Sequence, residues 1–196
     1  MYRYVGDISK ISQNIIKDYL ENKEVAIDGT LGNGHDTDFL SENFKRVYAF
    51  DIQKEACLNY EKKNIKNVKV INDSHHLFKN YIKEEVNCIM YNFGFLPGGD
   101  KSITTLHETS LESIKEGLNL LSHEGIITLC IYTGHSEGKK EESFILEYLK
   151  KLPKNEYGVM IHSFLNRDNA PKLVVIEKNK KISFKLLFIE DVFSWW

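Results

Sequence analysis

The chain has 196 residues, 42% of them hydrophobic and 28% charged, with a formal net charge of −2. That length suits one domain with a three-layer core, and the charge excludes a protein that coats nucleic acid indiscriminately while leaving room for a local basic patch. No apolar run approaches the ~20 residues of a membrane span, and the opening Met1-Tyr2-Arg3-Tyr4 lacks the apolar stretch of a signal peptide, so no membrane partner and a cytoplasmic location are expected. Cys57, Cys88 and Cys130 are widely spaced, and the last two sit in apolar strand-like runs, the pattern of buried reduced thiols. No zinc-like Cys/His spacing appears, and no metal is expected.

Residues 8–22 carry Ile8, Ile11, Ile15, Ile16, Tyr19 and Leu20 at helical spacing, which predicts an amphipathic helix covering one end of a sheet. Val25-Ala26-Ile27 then leads into Asp28-Gly29-Thr30-Leu31-Gly32-Asn33-Gly34-His35-Asp36-Thr37, and a helix follows to about residue 43. Strand, glycine-bearing turn and helix let a ligand approach bare backbone at a helix N-terminus. A second strand over residues 46–51 ends in Asp51, placed as the usual grip on two ribose hydroxyls. A dinucleotide site needs G-x-G-x-x-G, and Thr37 occupies the third glycine position. Asp28, four residues before Gly32, suits instead the sulfonium and amino-acid end of S-adenosylmethionine. An ordinary turn in which Asp36 or Thr37 caps the helix stays open at this point.

A helix over 53–64, a third strand at Val68-Lys69-Val70-Ile71 and a short helix over 77–82 lead to a fourth strand, Cys88-Ile89-Met90-Tyr91. That strand ends in Asn92-Phe93-Gly94-Phe95-Leu96-Pro97-Gly98-Gly99-Asp100-Lys101, a long loop of the kind that carries function. A helix to Leu121, a fifth strand over 126–132 and the turn Thr133-Gly134-His135-Ser136-Glu137-Gly138 precede a helix bearing Phe144, Ile145, Tyr148 and Leu149. After Pro153 two strands, 157–165 and 173–177, are joined without a helix, which makes an antiparallel pair. The fold class is therefore α/β, a doubly wound Rossmann-like sheet with helices on both faces and an antiparallel edge.

In such a sheet the C-terminal strand ends share one rim. Asp51 would take the ribose, with Gln53 bordering the adenine. Asp73, Ser74 and His75 stand at the third strand end, where Asp73 is either an acceptor for the adenine amine or a helix cap. Adjacent His75 and His76 do not converge on one metal. Asn92 and nearby carbonyls can accept hydrogens from a substrate amine, aiming its lone pair at an electrophile, while Phe95 stacks on a base. Asp100 and His135 are the candidate general bases.

These segments, with Tyr132-Thr133-Gly134-His135, Gly138-Lys139, Phe164-Leu165-Asn166, Asn169 and Pro171, resemble the rRNA methylase family of class I S-adenosylmethionine-dependent methyltransferases over about residues 10–178. The resemblance implies a seven-stranded sheet in the order 3-2-1-4-5-7-6, S-adenosyl-L-methionine as cofactor and the anticodon region of tRNA as partner. The reaction implied is N-methylation of 5-aminomethyl-2-thiouridine at the wobble position, giving 5-methylaminomethyl-2-thiouridine. It assigns the cofactor to Asp28, Gly32, Asn33, Gly34, Asp36, Thr37, Asp51, Gln53, Asp73, Ser74 and His75. The substrate falls to Asn92, Gly94, Phe95, Gly98 and Lys101, with Asn92, Asp100 and His135 the catalytic candidates. A methyltransferase for rRNA or a small amine and a non-catalytic RNA-binding protein on the same fold are the alternatives. Gly29 and Leu31 depart from the family's usual alanines, and Lys172 from a second proline. Residues 1–181 form the expected domain. The apolar extension 182–196, with Phe184, Leu186, Phe193, Trp195 and Trp196, is expected to pack on the body or on a second subunit in a homodimer.

Overall fold

The computed structural model of the chain describes residues 2–96, 98 and 103–180. Seven strands form one sheet in the order β3-β2-β1-β4-β5-β7-β6. They are β1 (Val25–Asp28), β2 (Arg46–Phe50), β3 (Val68–Ile71), β4 (Val86–Asn92), β5 (Leu121–Ile131), β6 (Tyr157–His162) and β7 (Lys172–Lys178). The first five run parallel, and β7 lies antiparallel to both β5 and β6. The reversed strand is thus one in from the edge, and β6 at the edge points with the rest.

Alternation along the central strands sorts the helices onto two faces. Ile27, Tyr48, Phe50, Ile89 and Tyr91 pack on one side with Phe78 of α4 (Phe78–Tyr81), Ile114 and Leu118 of α5 (His107–Leu120), and Ile145 and Leu149 of α6 (Ser136–Leu149). Their neighbours Ala26, Val47, Cys88 and Met90 face Ile16 of α1 (Ile8–Tyr19) and Leu40 of α2 (His35–Asn43). Leu31 and Ala49 complete that side with Cys57 and Tyr60 of α3 (Lys54–Glu61). Each fully buried large side chain contributes roughly 1.5–3 kcal/mol by leaving water, which makes the β1–β4–β5 centre the rigid base of the rim. All three cysteines are free and buried.

Asp7 caps α1, its carboxylate accepting the Ser9 N–H at 2.9 Å. The helix ends at Tyr19, three residues short of the span the periodicity gives, because Leu20 turns extended and joins the buried cluster that holds Ile16 and Ala26. The fifth strand differs more. It starts at Leu121, directly after α5, since Leu121 pairs with Val86 and Ile126 with Cys88. Five steps along β5 thus match two along β4, and the surplus bulges around Glu124, whose φ is +62°. Gly125 marks that bulge, not the strand's start.

The departure at Gly29 has a steric cause. A Cβ there would lie 2.5 Å from Cε1 of the buried Tyr91 ring, so the tyrosine occupies the space an alanine methyl would take. Leu31 is buried against Ala49, Cys57 and Tyr60.

Candidate active site

The C-terminal ends of β1 to β5 surround a cavity of about 1060 Å³. Its floor is the loop between β1 and α2. Gly32 (φ +48°) and Gly34 (φ +82°) hold left-handed backbone there, and a Cβ on Gly34 would meet the Tyr60 ring at 2.3 Å. Gly32 N–H donates to Asp51 Oδ2 and Gln53 N–H to Asp51 Oδ1, both at 2.8 Å. Asp51 therefore ties the tip of β2 to the loop while each oxygen keeps a lone pair for a further donor. Burial raises its pKa, opposed by those two amides.

Asp28 lies under this floor rather than on it. Its Oδ2 accepts the Thr37 hydroxyl at 2.5 Å and its Oδ1 the Thr30 N–H at 2.9 Å, and neither Asp28 nor Thr37 lines the cavity. Burial, with the neighbouring Asp36 charge adding to it, pushes the Asp28 carboxyl up to about 7. Asp36, the acid that does line the cavity, accepts the Gln13 amide at 2.8 Å on one oxygen and the Asn92 amide on the other. Its pKa is also raised, by burial first, with both hydrogen bonds pulling it back.

That pair of bonds sets the Asn92 side chain. With Nδ2 given to Asp36, Oδ1 faces the hydroxyls of Ser9 at 3.3 Å and Tyr132 at 3.4 Å. Both contacts are long for O–H···O bonds, so a better donor entering the cavity can displace them. Asn92 N–H donates to the Thr30 hydroxyl at 2.7 Å, fixing the backbone as well. The loop beyond is closed at its base: Gly94 O accepts Thr105 N–H at 3.1 Å, Gly94 N–H donates to Thr105 Oγ1 at 2.9 Å, and Phe95 bridges to Thr104. Asp100 and Lys101 lie outside the described residues, as does the 182–196 extension. Gly98 is exposed, with φ +84° and open space where a Cβ would stand.

At the third strand end, Asp73 accepts its neighbour Ser74 N–H and the Tyr81 hydroxyl, at 2.8 and 2.6 Å. His75 is buried, with Nδ1–H donating to the Gly29 carbonyl at 3.0 Å. Burial lowers its pKa to about 4, so the ring is neutral and Nε2 is an acceptor with no partner among the described residues. His135 has the opposite polarity. Its Nδ1 accepts the Gly138 N–H at 3.1 Å as the cap of α6, which puts the ring's N–H on Nε2, buried and without a partner among the described residues. In that state His135 is a donor, and a base role would first require the cap to break. Gly138 is required there because a Cβ would stand 2.0 Å from the Tyr132 carbonyl.

Gly32, Asn33, Gly34, Asp36, Asp51, Gln53, Asp73, Ser74, His75, Asn92, Gly94, Phe95 and His135 all reach the one cavity. Ser9, Gln13 and Tyr132 join them although sequence reasoning placed none of them in the site. The N-terminal helix reads only as cover for the sheet, and the signal available was the polar Ser9, Ser12 and Gln13 among the isoleucines of its inner side. His107, Glu108 and Glu137 bring ligand atoms within 4.8 Å of one another. Glu137 there accepts the His107 N–H at 3.1 Å and pairs with the Lys140 ammonium at 3.3 Å, which already supplies the cation.

Comparison with known proteins agrees with this geometry. The family model described as "Putative rRNA methylase" matches residues 47–178. The chain belongs to this rRNA methylase family. Its match begins after the glycine loop, but relatives extend the likeness. The chloroplastic tRNA (mnm(5)s(2)U34)-methyltransferase of Arabidopsis thaliana is 30% identical over 190 residues, covering 88% of this chain and 69% of that one. A Clostridium thermocellum structure with the same family description has 36% identity and a TM-score of 0.85, covering 90% of this chain and all of its own. A Streptococcus mutans structure solved in complex with SAH has 36% identity and a TM-score of 0.81, covering 89% and 99%. The class I methyltransferase fold and the strand order are those of the family. Among the described residues no helix is long and apolar enough to cross a membrane.

Proposed function

We propose that this chain is a tRNA methyltransferase that methylates the primary amine of 5-aminomethyl-2-thiouridine at the wobble position. S-adenosyl-L-methionine is the cofactor. The cavity suits it: Gly32 and Gly34 keep the loop bare, Asp51 retains acceptor capacity for ribose hydroxyls, and His75 Nε2 is an acceptor without a donor among the described residues. Asn33, Asp36, Gln53, Asp73 and Ser74 complete the contacts, with Asp28 and Thr37 holding the loop from beneath. When bound, this cofactor supplies an electrophilic methyl group on a sulfonium.

The observation that carries the reading is the fixed Asn92 amide. An in-line displacement needs a positioned nucleophile more than a strong base. Asn92 Oδ1, released by Ser9 and Tyr132, accepts one amine hydrogen and so orients the nitrogen lone pair. Asp36, one hydrogen bond behind, favours the positive charge the amine acquires. Phe95 and Gly94 border the base, and the Gly98 to Lys101 stretch belongs to the same substrate loop. The extra proton leaves to solvent or to Asp100. The relative from Arabidopsis, named for the same modified nucleoside, supports the choice of substrate. Three buried reduced thiols suit a cytoplasmic site of action.

The test is to incubate the purified chain with S-adenosylmethionine and tRNA carrying the unmethylated amine. Conversion of that nucleoside to its methylamino form, abolished by Asn92→Ala, is expected. Methylation elsewhere on the RNA, or none, would overturn the assignment.

A further inference from the structure

Beside the cavity, the N-terminal segment and the 163–171 connection carry residues that the proposed chemistry leaves unused. The chain has three arginines. Arg46 sits at the start of β2, far from the rim, in an ion pair with Glu84 at 2.5 Å. Among the described residues neither Arg3 nor Arg167 pairs with a carboxylate. The Arg167 guanidinium lies 4.3 Å from the centre of the Phe164 ring and 5.6 Å from that of Tyr2, and its Nη2 donates to the Val5 carbonyl at 3.4 Å. Stacking immobilises the fork while most of its five donors stay without an acceptor among the described residues.

This group adjoins the site. Asp7, Ser9 and Lys10, which follow directly in sequence, line the cavity, and Asp7 is committed to capping α1. Lys172 pairs with Ile131, so the 163–171 connection stands at the C-terminal end of β5, next to Tyr132. Tyr2 and Tyr4 are 69% and 64% exposed, and Leu165 is fully exposed. Asp168 is the acid beside Arg167 in the chain. Exposed rings interleaved with uncommitted guanidinium groups match unpaired nucleotides, whose bases stack and whose phosphates take bidentate donors. A carboxylate accepts the same bidentate fork, so the choice of RNA rests on the exposed rings beside it, which offer unpaired bases a stacking face.

We infer that Tyr2, Arg3, Tyr4 and Arg167 form the landing surface for the nucleotides flanking the target in a single-stranded RNA loop. This rests on the RNA substrate proposed above. The test is fluorescence anisotropy of the full chain with a labelled anticodon stem-loop over a salt series, alongside calorimetric cofactor titration, thermal melting and size-exclusion chromatography. Arg3→Ala and Arg167→Ala should each weaken RNA binding about tenfold and reduce the slope of log affinity against log salt by about 0.7 for each phosphate left without its cation. Tyr4→Ala should weaken binding without changing that slope, and cofactor affinity should hold in all three. If Arg167→Ala disturbs folding, Arg3→Ala and the exposed Tyr4→Ala carry the test. Unchanged RNA affinity in the Arg3→Ala/Arg167→Ala double variant, beside a wild type that binds, would overturn the inference alone. Dissociation of a dimer in these variants would assign the surface to a second copy and overturn it too. A wild type that neither binds nor methylates RNA would remove the proposed function as well.

Discussion

Asn92 gains its orientation from three elements at once: Asp36 on α2 takes its amide nitrogen, while Ser9 on α1 and Tyr132 after β5 stand at its oxygen. Replacing it by alanine should cut turnover at least about a hundredfold while leaving cofactor affinity within about twofold, measured by steady-state kinetics and calorimetry. Asp51→Ala should do the reverse first, lowering cofactor affinity by about 1.5–3 kcal/mol through the lost charge-assisted bonds. Asp28 makes a pH prediction. Its folded pKa of about 7 exceeds the ordinary carboxyl value of 3.8, so the folded chain binds this proton more tightly than the unfolded one. Its contribution to stability is complete below the unfolded pKa and disappears as pH rises through about 7. Thermal melting of Asp28→Asn between about pH 4 and 8 should show a flatter decline than wild type; parallel curves would show that Asp28 does not hold the proton.

At the scale of elements, the glycine loop and its neighbours are fitted to one another. Gly34 opens α2 at φ +82°, against a Tyr60 ring held by its hydroxyl on Asp38 at 2.9 Å and by Lys63 over its face. Gly34→Ala should cost about 2 kcal/mol or more in urea unfolding, from left-handed strain and the clash together. Gly29 tests the fit of β1 to β4. Gly29→Ala should destabilise this chain, and adding Tyr91→Leu should recover part of the loss by vacating the methyl's space, a coupling readable in a double-mutant cycle. Strand and helix order could be read from the sequence because the apolar runs alternate with helical stripes and the rim residues fall at strand ends. The role of α1 could not, since a helix's apolar stripe shows that it packs but not which polar neighbour reaches a distant carboxylate. The partners that keep Asp28 beneath the loop, Thr37 and Thr30, are likewise visible only once the loop has folded.

Over the whole molecule, the parallel β1–β5 core builds a rigid rim, and the β7–β6 hairpin brings the 163–171 connection beside the N-terminal segment. On the proposed reading, the rim supplies the chemistry and the flanking surface the grip on a larger substrate. On that reading, a chain with net charge −2 acts on RNA through attraction concentrated in Arg3 and Arg167, which pair with no carboxylate among the described residues, rather than spread over the surface. The activity proposed for this rim is methyl transfer to the amine of a wobble uridine. Nucleoside mass spectrometry of tRNA from cells with and without this chain tests it most directly. When the chain is removed, the methylamino nucleoside should disappear and its unmethylated amine precursor accumulate. An unchanged nucleoside profile in tRNA, with a methyl group missing from rRNA instead, would contradict it.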